Sequence, residues 1–338
     1  MKTQTAKSTA SGATVRALAA GDLDAVVAID AALGSGSRRA YFERRLAAAR
    51  RDPDRHLQLA VEESGLLEGF MLGRVLEGEF GRTEPALRLE AFGVGPAAQG
   101  RGVGATLAAG FEAAVALRGP REIRTTARWR EHALLRFLDH AGYKLAESHV
   151  LDCPLERAEA LALRERPAGA GASPGDANYY GSQKANDFEP LARDVAEVGL
   201  LRAEDIEGVA RIDRRLTGRD RRGFLCRAFA ETLADSALRV SLCARADGAV
   251  SGYLMARLDY GDFGRPQPAA VIDTLGVDPL RARSGIGSAL LSQLVTNLSA
   301  LHVERMETIV APGNLELLGF FHAAGLRTSE RLAFVKSL

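Results

Sequence analysis

Gly93–Leu107 reads GVGPAAQGRGVGATL, and Gly276–Leu290 reads GVDPLRARSGIGSAL. Both stretches leave an apolar run through Val-x-Pro, turn on closely spaced glycines, and enter a segment with an apolar residue at every fourth position. These residues are Val103, Leu107, Phe111 and Val115 in one copy and Ile286, Leu290, Leu294 and Leu298 in the other. Such spacing lines one face of a helix, so each stretch predicts a strand, a glycine turn and a helix. The offset of 183 residues holds elsewhere: Ile29-Asp30 falls on Ile212-Asp213, and Gly142 falls on Gly325. Residues 69–96 match residues 252–279 with 11 identities over 28 positions and no gap. A period this long marks two whole domains, because solenoid units repeat every ~20–50 residues.

At 338 residues the chain has room for two domains of ordinary size. A formal charge of +1, with 46% apolar and 26% charged residues, offers no basic excess for nucleic acid. No run of about eighteen apolar residues predicts a membrane span. The opening MKTQTAKSTASGATV lacks the apolar core of a signal peptide, so the chain reads as cytoplasmic. Residues 1–13 read as a disordered tail, 14–157 as the first domain and 196–338 as the second. Between them, 158–195 is rich in Gly, Pro, Ala and Ser and reads as a linker, part of which its Tyr179, Tyr180 and Phe188 would pack onto a domain. Cys153, Cys226 and Cys243 form no C-x-x-C pair and read as free, buried thiols. The six histidines show no ligand spacing, so no metal is expected.

Each half predicts the same mixed α/β unit. A short strand at Val15 or Val198 leads into a helix opened by Asp22 or Asp205, then a second helix beginning at Arg38-Arg39 or Arg221-Arg222. Two arginines at a helix start read most simply as solvated. Three strands follow, then the glycine turn and its helix, a further strand, a helix and a last strand that completes the unit. The Phe80-Gly81-Arg82 and Phe263-Gly264-Arg265 segments read as hairpin turns with an aromatic anchor.

The glycine turn carries the chemistry. A strand that passes through a turn into a helix presents backbone N–H groups and the positive end of the helix dipole to an anion. Glycines at 100, 102 and 104 let the backbone approach that anion closely. The spacing G-x-G-x-G is not the dinucleotide fingerprint G-x-G-x-x-G, and no Gly-Lys-Ser/Thr ending makes it a P-loop.

Gln99-Gly100-Arg101-Gly102-Val103-Gly104 resembles the Q/R-x-x-G-x-G/A motif of the GCN5-related N-acetyltransferase (GNAT) superfamily. The later NLELLGFFHAAGL, from Asn314, resembles that family's second signature. The resemblance covers both halves and implies a mixed-sheet α+β fold of two tandem acyl-CoA N-acyltransferase domains. It also implies acetyl-CoA as co-substrate. Its pantetheine arm would lie along Phe92-Gly93-Val94 and its pyrophosphate on the amides of Gln99 to Ala105. In the second half, Val277, Arg283, Ser284, Gly285, Ile286, Gly287 and Asn314 stand at the matching cofactor positions.

The two halves have diverged at complementary places. Ala282 stands where the motif has Gln or Arg, and Arg283 replaces the glycine, which weakens the second cradle, though Arg281 and Arg283 add charge. Conversely, Asn314 is kept there, while Glu131 occupies its place in the first half. The family's tyrosine acid falls on Leu138 and Phe321, so it is missing from both halves, and the nearby Tyr143 reads as core. Glu90 and Asp273, in register before the strand's end, are candidate bases for an ammonium acceptor. The alternative is a strand carboxylate paired with an arginine such as Arg88. Trp129 reads as core or pocket lining. Taken together, the residues predict an N-acetyltransferase acting on a small-molecule or peptide amine. A degenerate tandem module that binds acyl-CoA or a protein partner stays open, as does a homodimer.

Overall fold

The computed structural model describes residues 13–35, 38–76, 84–158, 196–234, 240–259 and 268–338. The two Phe-Gly-Arg segments and the linker aromatics lie outside them. The first repeat contributes β1 (Thr14–Ala17), α1 (Leu23–Asp30), α2 (Arg39–Arg51), β2 (His56–Glu63), β3 (Leu66–Leu76), β4 (Ala86–Val94), α3 (Val103–Ala116), β5 (Glu122–Arg128), α4 (His132–His140), β6 (Lys144–Leu145) and β7 (His149–Pro154). The second contributes β8 (Glu197–Leu200), α5 (Ile206–Thr217), α6 (Arg222–Ala234), β9 (Leu242–Ala246), β10 (Ala249–Asp259), β11 (Ala269–Val277), α7 (Ile286–Ala300), β12 (Arg305–Val310), α8 (Leu315–Ala323), β13 (Arg327–Thr328) and β14 (Arg331–Ser337).

These elements form two mixed sheets, as the sequence predicts, each of seven strands where the pattern along each half predicts six. One has the order β1-β2-β3-β4-β5-β14-β6 and the other β8-β9-β10-β11-β12-β7-β13. The last strand of each repeat does not complete its own unit. β14 lies antiparallel to β5, from Arg331 opposite Arg128 to Ser337 opposite Glu122, and β7 lies antiparallel to β12. Each repeat therefore donates its final strand to the other sheet, at the place its own strand would otherwise fill. Exchange of identical elements costs little, because the same contacts form in either arrangement.

Alternation within the strands places two cores. In the first sheet Leu57, Leu59, Met71, Leu87 and Leu89 face α3, whose Val103, Leu107, Phe111 and Val115 are all buried. The opposite face carries Phe70, Leu72 and Ala91 against Val26, Ile29, Tyr41 and Phe42 of α1 and α2. The second sheet repeats the arrangement. Tyr143 belongs to the α3 core, and burial pushes its hydroxyl pKa up. Cys153 and Cys243 are buried free thiols, whereas Cys226 is exposed, contrary to the expectation for all three. No helix among the described residues is long and apolar enough to cross a membrane.

Candidate active site

The site begins where two parallel strands part. β4 pairs with β5 only at Leu87 with Ile123 and Arg88 with Arg124. One residue on, the Thr125 hydroxyl donates to the Leu89 carbonyl at 3.0 Å. In the second sheet pairing ends at Ile272 with Thr308, whose hydroxyl donates to the Ile272 carbonyl at 3.0 Å. A buried threonine thus stands at each fork and satisfies a carbonyl there.

Both candidate bases stand at these forks as the extra residue of a β-bulge. Leu72 faces Ala91 and Gly73 faces Leu89, which leaves Glu90 without a ladder partner. Met255 faces Thr274 and Ala256 faces Ile272, which leaves Asp273 likewise. A bulge turns its side chain off the regular alternation. Glu90 is 1% exposed and forms an ion pair with Arg45 of α2, and its Oε1 lies 3.3 Å from Arg74 Nε. Its partners therefore include Arg45 and Arg74, which come from other elements of the fold. Asp273 Oδ2 lies 3.0 Å from Arg257 Nε, and Ala228 stands at the place of Arg45.

The glycine turn has the shape expected of a cradle. Gly100 and Gly102 adopt φ of 76° and 86°, and a Cβ at either would meet no atom within 4 Å. The first hydrogen bond into the helix runs from Thr106 N to the Gly102 carbonyl at 3.0 Å. The amides of Val103, Gly104 and Ala105 precede it, as orphan donors at a helix start do. Gln99 Nε2 donates to the Val94 carbonyl at 3.3 Å, tying the turn to the end of β4. Arg101 pairs with Glu63 and lies 3.8 Å from Glu68, so its charge is partly spent on the β2–β3 hairpin.

The altered turn keeps this shape. Arg283 occupies the Gly100 position at φ 62° and Gly285 follows at 83°. Because the left-handed region is unfavourable for a residue with a Cβ, Arg283→Gly is expected to stabilise the protein by roughly 0.5–1 kcal/mol, read as a raised urea midpoint. Arg281 lies 2.9 Å from Asp247, and the Ser284 hydroxyl donates to the Arg281 carbonyl at 2.6 Å.

Other predicted residues serve packing or capping. A Cβ on Gly93 would come within 2.7 Å of the Phe70 ring, and one on Gly276 within 2.6 Å of Tyr253. Phe92 stacks on Phe137, with ring centroids 4.1 Å apart, and both rings bear on Gly104. The Asn314 Oδ1 accepts from Leu317 N at 3.1 Å and caps α8, while Glu131 Oε2 accepts from Arg128 N in the first half. Leu138 and Phe321 are fully buried. Trp129 is half exposed beside Arg130.

Arg38 and Arg221 are not solvated as their helix-start position suggested. Each is buried in an ion pair, with Asp30 and Asp213 respectively, and the Tyr253 hydroxyl donates to Asp213 Oδ1 at 2.8 Å. The signal was present in the identical Ile-Asp pairs of the two repeats. Arg39 and Arg222, one residue on, do face solvent.

Residues 209–326 match the model of the Acetyltransferase (GNAT) family. A search of curated proteins by sequence finds no match. Among solved structures, a tandem GNAT protein from the clavulanic acid biosynthesis pathway superposes with a TM-score of 0.61 at 16% identity, covering 96% of this chain and 98% of that one. A GCN5-related N-acetyltransferase from Sphaerobacter thermophilus gives 0.56 at 16% identity over 96% and 95%. The GCN5-related glucosamine N-acetyltransferase region of a fungal multi-domain GH3 β-N-acetylglucosaminidase gives 0.60 at 15% identity over 96% of this chain, which spans 38% of that protein's length. The second repeat thus carries a domain of the acetyltransferase (GNAT) family, and the chain as a whole has the fold of a tandem GNAT protein.

Proposed function

We propose that the chain is a cytoplasmic acetyl-CoA-dependent N-acetyltransferase with two domains, 14–157 and 196–338, joined by a linker at 158–195. In this reading the first domain holds the working cofactor site and the acceptor is a primary amine on a small molecule or peptide. The observation that carries the reading is the Gly100–Gly102 turn, with its orphan amides at the start of α3, set one strand-end away from the β4–β5 fork. Acetyl-CoA would supply an activated acyl group there. The amides from Gln99 to Ala105 would hold its pyrophosphate, and Phe92-Gly93-Val94 its pantetheine arm. Val277, Arg283, Ser284, Gly285, Ile286, Gly287 and Asn314 form the weaker second copy. Glu90 would take the proton of the incoming ammonium, directly or through water, so that the amine attacks in a ternary complex.

A second reading, a module that binds acyl-CoA without turnover, is favoured by the buried Leu138 and Phe321 at the acid's positions. The arginines that face both oxygens of Glu90 also favour it, since proton transfer there competes with two ion pairs. Calorimetric titration of acetyl-CoA into the wild type, Gly102→Glu and Gly285→Glu tests the cofactor assignment. One site, lost only with Gly102→Glu, is the expected result. Retention of that site in Gly102→Glu would move the cofactor to the second domain, and no binding in the wild type would remove both readings.

A further inference from the structure

The floor of the first fork is a row of bases. His56 pairs directly with Arg74, Arg74 with Arg88, and Arg88 with Arg124, across four adjacent strands. Directly opposed residues share a face of a sheet, so the row lies side by side beneath the point where β4 and β5 part. Arg45 of α2 reaches the same place, and Arg88 is only 6% exposed. At the end of the row, burial first, and then Arg45, Arg74, Arg55 and Arg51, push the His56 pKa down to about 3.

The exchanged strand adds another cation. Arg331 of β14 is buried, with Nε 3.2 Å and Nη2 2.6 Å from the Thr126 hydroxyl and Nη2 3.2 Å from the Thr126 carbonyl. Thr126 is two residues beyond the last β4–β5 pair. Arg331 Nε also lies 3.9 Å from Glu307 Oε2 of the second sheet. The matching position in the first repeat is Ser148, which carries no charge.

The same row in the second sheet has the opposite character. Arg257 faces Val271, Val271 faces Glu307, and Glu307 faces Asp152. Two substitutions between repeats, Arg88 to Val271 and Arg124 to Glu307, turn a basic floor into a neutral or acidic one. Opposed like charges weaken a sheet, and buried guanidinium groups are costly to desolvate. A guanidinium has five donors in a planar fork, enough to hold a protein carboxylate and a ligand anion together.

We propose that the first fork takes an amine acceptor bearing an anionic group, a carboxylate or a phosphate, with Arg331 of the second repeat as a specificity-determining residue of the first. The proposal deepens the acetyltransferase reading and rests on it for the amine, whereas the anion site stands on the basic row itself.

The test uses the full-length protein saturated with CoA, so that the cradle is filled. β-Alanine is titrated against β-alaninamide, and 2-aminoethyl phosphate against ethanolamine, by calorimetry. Acetyl-CoA-dependent release of CoA thiol is followed with the same four amines. In at least one pair the anionic member is expected to bind about tenfold more tightly or better than its neutral partner, and the pair with the larger ratio identifies carboxylate or phosphate. Arg331→Met should cut that preference by about tenfold, while Glu307→Gln, which removes a nearby negative charge, should raise it. A purely structural ion pair would move both variants the same way. Equal binding within both pairs, or a parallel shift in the two variants, overturns the proposal. Anion preference without thiol release upholds the anion site and counts against acetyl transfer, whereas turnover without preference does the reverse.

Discussion

A chain ending at Glu330 is expected to lose the fold of its first half, although the missing residues belong to the second repeat. β14 lies inside the first sheet, between β5 and β6, and pairs with β5 along its whole length. Its removal turns β5 into an unprotected edge and strips Arg331 from Thr126 and Lys336 from Glu112, 2.5 Å away. The loss should be about 5 kcal/mol or more, comparable to the whole stability of an ordinary domain. Hydrogen exchange locates the effect: amides of 122–128 should lose protection, while those of β10 and β11 keep theirs. If 122–128 stay protected, β7 has swung back to pair with β5, and the exchange is dispensable. By the same logic, cutting the chain within 159–195 should leave two pieces that remain associated on dilution.

Glu90→Gln should destabilise the protein by about 3 kcal/mol, because it leaves Arg45 and Arg74 without their buried carboxylate. Asp273 pairs with Arg257 and is more exposed, so the cost of Asp273→Asn should stay under about 1 kcal/mol. Urea unfolding measures both. A double-mutant cycle with Arg45→Met should return part of the loss, as coupled neighbours do. On activity, the acetyltransferase reading expects kcat/KM to fall at least about 100-fold in Glu90→Gln with the acetyl-CoA affinity unchanged. A non-catalytic module has no rate to lose, and the destabilisation would then be the whole effect. Measuring stability and rate on the same preparation separates the two.

Much of this architecture was legible in the sequence. The 183-residue repeat, the i+4 stripe from Val103 to Val115 and the glycine turn each rest on short-range spacing, and local spacing survives folding. The burial of Tyr143 follows from comparing one repeat with the other, where it falls on Leu326, whereas the absence of a tyrosine acid at Leu138 and Phe321 is what the family resemblance implies. Pairing was not legible. Nothing in the order of residues marks Arg45 as the partner of Glu90, because two strands, β2 and β3, separate α2 from β4 in the chain. Arg38 looked like a solvated helix start because its partner Asp30 belongs to the preceding helix.

The amino-acid sequence by itself determined that two copies of one mixed α/β unit form, and where each copy places its glycine turn at a helix start. These are matters of periodicity and of residues that tolerate left-handed backbone. Only the tertiary structure decided which sheet each final strand joins, that Glu90 and Asp273 are bulge residues, and that one fork has a basic floor and the other does not. The physical reason is that β7 and β14 offer the same hydrogen bonds to either sheet. The choice between them, and the charges that choice brings together, exist only once the two halves are packed.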